Sequence, residues 1–271
     1  MSTVESPAER SHATPRVTCK GETLVEALLL QAEEKGGEDH LVLREQDRVL
    51  ETLTFAGLCD GALAVGRGLA ARGIEPGQTV ALMLPTGRDF YFSFMGTLLA
   101  GAVPVPIYPP ARPDQLEEYV QRHAGILANA EVRALVTFRQ AEVLARMLGP
   151  RIATLDTVVR ADQLHAEGGT ARDAGPPAKV GPEDLGLIQY TSGSTGDPKG
   201  VTLTHANLIS NVRAIGEAVE VGADDVVVSW LPLYHDMGLI GCWFFALCTA
   251  SGWSPFRRSS SCAVPGAGSR P

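Results

Sequence analysis

The sequence predicts an α/β fold in which mostly parallel sheets are covered by helices. Three observations carry this. Residues 79–84 are apolar throughout, with no polar alternation, as in strands covered on both faces. Residues 103–107 form a second such run, and the helix-length stretch 88–100 between them completes a βαβ unit, which builds a parallel sheet with a right-handed crossover. Further apolar runs at 134–138, 185–191 and 226–231 alternate with helical stretches, the order expected of an α/β chain.

The elements follow in sequence. Residues up to about 18 are polar and Pro-containing, and disorder is expected there. Residues 22–34 have helical spacing, with Leu24, Leu28 and Gln31 one turn apart. Leu41, Val42 and Leu43 read as a short strand. Thr54 is placed to cap a helix whose face includes Leu58, Leu63, Val65 and Leu69, closed near Gly73. Gly77 turns the chain into the first buried strand. Residues 114–129 predict a helix and 134–138 a strand. The Gly-, Pro- and Ala-rich stretch 166–184 predicts a loop. A strand at 185–191 follows, then a helix from His205 to about Val219 capped by Thr204, and a final buried strand at 226–231 in whose last turn Trp230 reads as core.

Composition narrows the function classes. The chain has 271 residues, enough for one large domain or two small ones, and its 45% apolar and 20% charged content is ordinary for a globular protein. A net charge of -8 without basic runs argues against a nucleic-acid surface. Cys19, Cys59, Cys242, Cys248 and Cys262 form no C-x-x-C pair and read as free thiols of a reducing, cytoplasmic compartment. The start lacks the features of a signal peptide. The apolar stretch 90–107 is broken by Ser93, two glycines and two prolines, so a buried helix and strand fit it better than a transmembrane segment.

The most informative string is Tyr190-Thr191-Ser192-Gly193-Ser194-Thr195-Gly196-Asp197-Pro198-Lys199-Gly200-Val201. Gly193 and Gly196 lack the Cβ atoms that keep a backbone from a ligand, and Ser192, Ser194 and Thr195 supply hydroxyl donors. Successive N–H groups in such a turn make a nest for anionic oxygens, and Lys199 adds a mobile positive charge. Asp197 and Pro198 separate Gly196 from Lys199, so the string is not a Walker A loop. A Ser/Gly hairpin turn would share its composition; the full string, closed by Pro-Lys-Gly, is more specific.

That string resembles the phosphate-loop signature of the adenylate-forming enzymes: acyl-CoA synthetases, adenylation domains of peptide synthetases, luciferases and fatty-acyl-AMP ligases. Two further motifs fall in the family's order. Val103-Pro104-Val105-Pro106-Ile107-Tyr108-Pro109-Pro110 and Ser229-Trp230-Leu231-Pro232-Leu233-Tyr234-His235-Asp236-Met237-Gly238-Leu239-Ile240-Gly241 both resemble the fatty-acyl-AMP ligase wording. The resemblance runs from about residue 21 to about 247, a partial adenylation domain at 19–247. It implies ATP as substrate, with Mg²⁺ carried on its phosphates, and activation of a fatty acid to an acyl-adenylate. The acyl group would pass to an acyl carrier protein or polyketide synthase module in lipid or polyketide assembly. Thr191, Ser192, Gly193, Ser194, Thr195 and Gly196 would wrap the β- and γ-phosphates, assisted by Lys199. His235 would act beside the carboxylate and α-phosphate. Tyr234, His235, Asp236, Met237 and Gly238, with Leu239, would form the acyl entrance; for Tyr234, Met237 and Leu239 a place in the core is the equal alternative. By itself, a His among apolar residues is more often packed than catalytic, and Asp236 has the alternatives of orienting His235 or capping a turn. No metal cluster is visible in the sequence.

The stretch 248–271 behaves differently. Periodicity stops after about Leu247, and the Arg-, Ser-, Pro- and Gly-rich end cannot bury a face. Read one base out of frame with GC-rich codons, it becomes an apolar run similar to the family's continuation. The expectation is therefore an irregular, out-of-frame tail on an incomplete copy, inactive alone and prone to aggregate. A disordered terminus, a long-chain acyl-CoA ligase fragment and a non-catalytic nucleotide-binding remnant are the competing readings.

Overall fold

The computed structural model describes residues 19–110, 116–171, 177–191, 198–219 and 225–249, together with the backbone of 252–257. The segment expected to be disordered, 1–18, and the end of the irregular tail, from 258, lie outside the described residues.

Helix α1 (Leu24–Lys35) starts where Thr23 Oγ1 accepts from the Glu26 amide at 3.0 Å, and it buries Leu24, Leu28 and Gln31 as the spacing requires. Strands β1 (Asp39–Glu45) and β2 (Arg48–Thr54) form an antiparallel hairpin. The sequence did not predict β2, an edge strand with Val49 and Leu50 exposed and so without an apolar face to read. Thr54 Oγ1 accepts from the Gly57 amide at 3.1 Å and opens α2 (Phe55–Ala71), which Gly73 closes with φ +80°.

The predicted βαβ unit is β3 (Thr79–Met83), α3 (Arg88–Leu99) and β4 (Val103–Ile107). It belongs to a wholly parallel sheet of order β4-β3-β5-β6, with α4 (Leu116–Asn129), β5 (Ala134–Thr137), α5 (Glu142–Leu148), β6 (Thr157–Arg160) and α6 (Ala161–Thr170). Alternate residues of β3 enter different cores. Val80 and Leu82 pack with α2 and α3, whereas Ala81 and Met83 pack with α4 and α5. That two-sided cover is why the strand lacks polar alternation. The loop expected from 166 begins later, because α6 continues to Thr170 to pack Gly168 against α2; a Cβ on Gly168 would lie 1.6 Å from the Ala64 carbonyl oxygen.

Strands β7 (Leu185–Thr191) and β8 (Lys199–Thr204) form an antiparallel hairpin, and Thr204 caps α7 (His205–Val219) by accepting from the Asn207 amide. Then come β9 (Val226–Ser229), α8 (Asp236–Gly238), a π-helical stretch at Leu239–Phe244, α9 (Phe245–Thr249) and β10 (Gly252–Arg257).

Strand β10 departs from the expected irregular segment. It lies between β1 and β9, parallel to both, in a sheet of order β2-β1-β10-β9. Two strands separated by one strand's width leave facing rows of backbone donors and acceptors, and any extended segment satisfies them without needing side-chain periodicity. Strand β9 also differs from expectation. It ends at Ser229, and Val226, Val228 and Trp230 are each 60% exposed while Ser229 is buried. With a period of two, Trp230 must point to the side opposite Ser229, so it is not core. Trp243 holds that place instead, fully buried against Tyr91, Phe94 and Phe244 at ring separations of 4.8, 5.6 and 5.3 Å. Among the described residues no helix is long and apolar enough to cross a membrane.

Candidate functional site

The phosphate-loop string sits on the β7–β8 hairpin. Ser192, Gly193, Ser194, Thr195 and Gly196 lie outside the described residues. Their neighbours are placed: Thr191 and Lys199 are both exposed and pair across the hairpin end. One pair further in, Tyr190 lies opposite Gly200; a Cβ at Gly200 would come within 3.0 Å of the Tyr190 ring, so the cross-strand contact favours glycine. The Tyr190 hydroxyl bonds Asn129 Oδ1 at 2.5 Å, and this ties the hairpin to the end of α4.

The acyl motif lies next to this hairpin. Gln189, 5% exposed on β7, donates through Nε2 to the Tyr234 carbonyl at 3.1 Å. A buried amide that bridges the two segments fixes the position of Tyr234 relative to the strand leading to Thr191. After Tyr234 the chain turns: the His235 amide donates to the Pro232 carbonyl at 3.2 Å, and the Leu239 amide to the His235 carbonyl at 2.9 Å. Gly238 is needed here for space. A Cβ on it would lie 2.5 Å from the Pro232 carbonyl oxygen.

His235 and Asp236 are surface groups. His235 Nδ1 lies 2.6 Å from Asp236 Oδ1, with the two side chains 65% and 63% exposed. The same Asp236 oxygen accepts from the Met237 amide at 2.7 Å. Asp236 therefore contacts both groups that the sequence alternatives named, the His235 imidazole and the first turn of α8, in which it is itself the first residue. Met237 is 62% exposed, whereas Leu239 is fully buried and belongs to the core rather than to an acyl entrance.

A groove of about 920 Å³ runs beside this turn, with Asp236, Met237 and Ile240 on one wall and Leu208, Asn211 and Ile215 of α7 on the other. Ile240 belongs to the π-helical stretch, a rare geometry that recurs at functional sites because it re-aims side chains within a helix.

The third motif also converges on the site, through groups that the sequence did not single out. The Tyr108 ring is 6.0 Å from Tyr234 and 4.5 Å from His123, and His123 stacks on Tyr119 at 3.8 Å. The Tyr119 hydroxyl donates to the Tyr108 carbonyl at 2.6 Å, and His123 Nδ1 bonds the Tyr119 carbonyl at 2.8 Å. Burial holds His123 down to about 4, so it is neutral near pH 7. Burial, reinforced by Tyr108, raises Tyr234. The four-residue spacing of Tyr119 and His123 on α4 was the available signal, since i and i+4 share a helix face. Among the described residues no group of three or more His, Cys, Asp or Glu is arranged to hold a metal ion.

Comparison with known proteins follows the same lines. The AMP-binding enzyme family model matches residues 30–258. A putative acyl-CoA synthetase of Caulobacter vibrioides is 34% identical over 81% of this chain and 37% of its own length. Long-chain-fatty-acid–AMP ligase FadD32 of Mycolicibacterium smegmatis is 34% identical over 72% of this chain and 30% of its own. A medium-chain-fatty-acid–[acyl-carrier-protein] ligase, TtuA of Teredinibacter turnerae, is 28% identical over 81% of this chain and 39% of its own. Among solved structures, the fatty acyl-adenylate ligase of L. pneumophila in complex with acyl adenylate and pyrophosphate superposes with a TM-score of 0.77 at 27% identity, over 88% of this chain and 40% of that one. The chain spans about a third of the length of the curated relatives it matches. With the strand that leads into the phosphate-loop string, Tyr108 and the Tyr234 turn brought together on this fold, the chain belongs to the AMP-binding enzyme family, and within it resembles the N-terminal part of the fatty-acyl-AMP ligases.

Proposed function

We propose that this chain supplies the phosphate-loop and acyl-entrance part of an enzyme that activates a fatty acid with ATP to an acyl-adenylate, for transfer to an acyl carrier protein. The observation that carries this reading is the Gln189–Tyr234 hydrogen bond, which holds the phosphate hairpin and the acyl motif side by side. A reaction between a carboxylate and an α-phosphate needs its two binding loops held at fixed separation, since positioning supplies much of the rate.

In this reading Ser192, Gly193, Ser194, Thr195 and Gly196, with Thr191, present hydroxyl and backbone donors to the β- and γ-phosphates, and the Lys199 ammonium offsets their charge. The fatty-acid carboxylate attacks the α-phosphorus and pyrophosphate leaves. His235, with its Nδ1 engaged by Asp236, directs Nε2 toward the charge that develops there. The alkyl chain lies in the groove between α7 and the turn at Met237 and Gly238, where Ile240, Leu208 and Ile215 offer an apolar wall. Mg²⁺ would neutralise charge on the phosphates of ATP; the described residues form no cage of their own for it. The carrier-protein acceptor is favoured over CoA by the Tyr108-Pro109-Pro110 and Tyr234-His235-Asp236-Met237-Gly238 wording and by the relative that acts on acyl-carrier-protein.

The test is fatty-acid-dependent ATP–pyrophosphate exchange. The chain by itself is expected to give none. A chimera in which this chain replaces the matching third of the mycobacterial FadD32 relative is expected to exchange, with Lys199→Ala and His235→Ala each lowering the rate at least tenfold. A folded chimera that exchanges with no fatty acid refutes the reading. Transfer of the acyl group to CoA but not to a carrier protein would refute the acceptor assignment alone.

A further inference from the structure

From Arg139 to Arg151 the chain is one continuous helical run: a 3₁₀ turn (Arg139–Ala141), α5 and a second 3₁₀ turn (Gly149–Arg151). Its inner side is committed to the core, where Leu144, Ala145 and Leu148 are buried with Tyr119, Ile126 and Leu127 of α4. Its outer side carries apolar side chains that nothing covers: Val143 is 74% exposed and Met147 58%. A β-branched valine gains neither helix propensity nor burial at such a position. Arg139, Val143, Met147 and Arg151 follow one another at four-residue intervals, the spacing of a ridge along a helix, and such a ridge packs into the groove of a partner helix. Arg139 and Arg151 are exposed and have no ion-pair partner among the described residues. Glu142, the single carboxylate of the run, is held by Arg146 at 2.9 Å and by Arg160 at 3.4 Å. The whole chain carries a net charge of -8, so two uncompensated arginines that bracket an apolar pair are a local departure from an acidic surface. Met and Arg are enriched at protein interfaces, and Lys, which interfaces deplete, is absent from the run.

We propose that the ridge of Arg139, Val143, Met147 and Arg151 is the docking surface for an acidic, amphipathic helix of the acyl carrier protein that accepts the acyl group. The inference rests on the carrier-protein reading of the function and adds the place where that partner binds. Charge complementarity chooses the occupant. Val143 and Met147 cover the apolar centre of the incoming helix, while the Arg139 and Arg151 guanidiniums take carboxylates near its two ends in bidentate fashion. At 1.5–2.0 Å of rise per residue the two arginines stand roughly 20 Å apart along the run, which sets the separation of the acidic groups the partner must present. The position suits delivery of the acyl group. Helix α5 packs beside α4, which carries Tyr119 and His123 behind Tyr108, so a carrier seated on the ridge stands one helix away from the Tyr108 and Tyr234 rings. Charged pairs at the rim of such a contact act chiefly on the association rate and its salt dependence, and the apolar pair supplies the buried centre.

The probe is the carrier protein served by the TtuA relative, prepared without its phosphopantetheine arm so that only surface docking is read. Amide hydrogen exchange of the 271-residue chain is followed by mass spectrometry with and without this probe. The expected result is protection of the peptides that cover 139–151, weakened by added salt. Arg139→Glu combined with Arg151→Glu is expected to weaken binding at least about tenfold, while Arg48→Glu, the same kind of charge change on an exposed residue of β2, shifts it by less than about threefold. No protection at 139–151, whether the carrier binds elsewhere or not at all up to about 1 mM, would overturn the proposal. Equal losses in the arginine pair and in Arg48→Glu would overturn it too, since they would mean an unspecific charge effect. The functional reading fails separately. Pyrophosphate exchange in the FadD32 chimera needs no carrier, so exchange that ignores fatty acid refutes the activation reading and leaves the protection standing. A chimera that acylates the carrier with no protection at 139–151 refutes the docking surface alone. The protection map of the unsubstituted chain decides the matter where a variant fails to fold.

Discussion

Gly168→Ala tests the packing of α2 against α6 most sharply, because the neighbouring Gly169 offers the same chemistry without the contact. A Cβ on Gly168 would lie 1.6 Å from the Ala64 carbonyl oxygen, 2.6 Å from its carbonyl carbon and 2.8 Å from the Gly68 nitrogen. All three are backbone atoms, so no rotamer change relieves the overlap, and the helices must part by more than about 1 Å. That movement weakens the bond from Arg67 Nε to the Gly168 carbonyl, now 2.9 Å, and the Arg72–Glu167 pair beside it. Overpacking of this kind costs about 1–3 kcal/mol. A strained charge-assisted hydrogen bond adds roughly 1 kcal/mol, and the better helix propensity of alanine returns about 0.8–1 kcal/mol. The net expectation for Gly168→Ala is a loss of about 1–3 kcal/mol. At Gly169 a Cβ would meet nothing within 4 Å, so Gly169→Ala keeps the propensity gain and is expected to stabilise by about 0.5–1 kcal/mol. Urea unfolding followed by far-UV circular dichroism measures both; the difference of about 3 kcal/mol corresponds to roughly 6–12 °C in midpoint temperature. If the two variants shift stability in the same direction, within about 0.5 kcal/mol of each other, the close approach of α6 to α2 is wrong.

Three other outcomes are expected. Because burial lowers His123 to about 4 in the folded chain against an ordinary 6.5, the unfolded state binds the extra proton between those values; stability should fall by about 3 kcal/mol as pH drops from 6.5 to 4, and His123→Phe should remove that slope in urea titrations at stepped pH. Trp243→Ala should cost about 3–5 kcal/mol of unfolding free energy, whereas Trp230→Ala should change it by less than about 0.5 kcal/mol; equal losses would place Trp230 back in the core. Val226 and Val228 expose an apolar face on the last strand of their sheet, so Val228→Lys should lower concentration-dependent light scattering, and unchanged scattering would move the associating surface elsewhere.

The parts of the fold legible in the sequence are those whose information is local. The runs of β3 and β4 are apolar because both faces are covered, Thr54 and Thr204 cap the helices that follow them, and Gly73 and Gly77 adopt φ of +80° and +82° in turns. The phosphate string and the acyl motif were equally readable, since the order of their residues carries the chemistry. Tertiary structure decided what depends on distant neighbours. Trp230 and Trp243 occupy similar apolar surroundings in sequence, and only the pleat of β9 and the cluster of Tyr91, Phe94 and Phe244 determine which is covered. Strand β10 has no periodicity of its own and exists because β1 and β9 leave it a slot of unpaired backbone groups. Tyr108, His123 and Gln189 enter the site through contacts between segments far apart in the chain. Local sequence sets which conformations a segment prefers; which faces meet is set by long-range packing, and that packing chose the residues that hold the two motifs together.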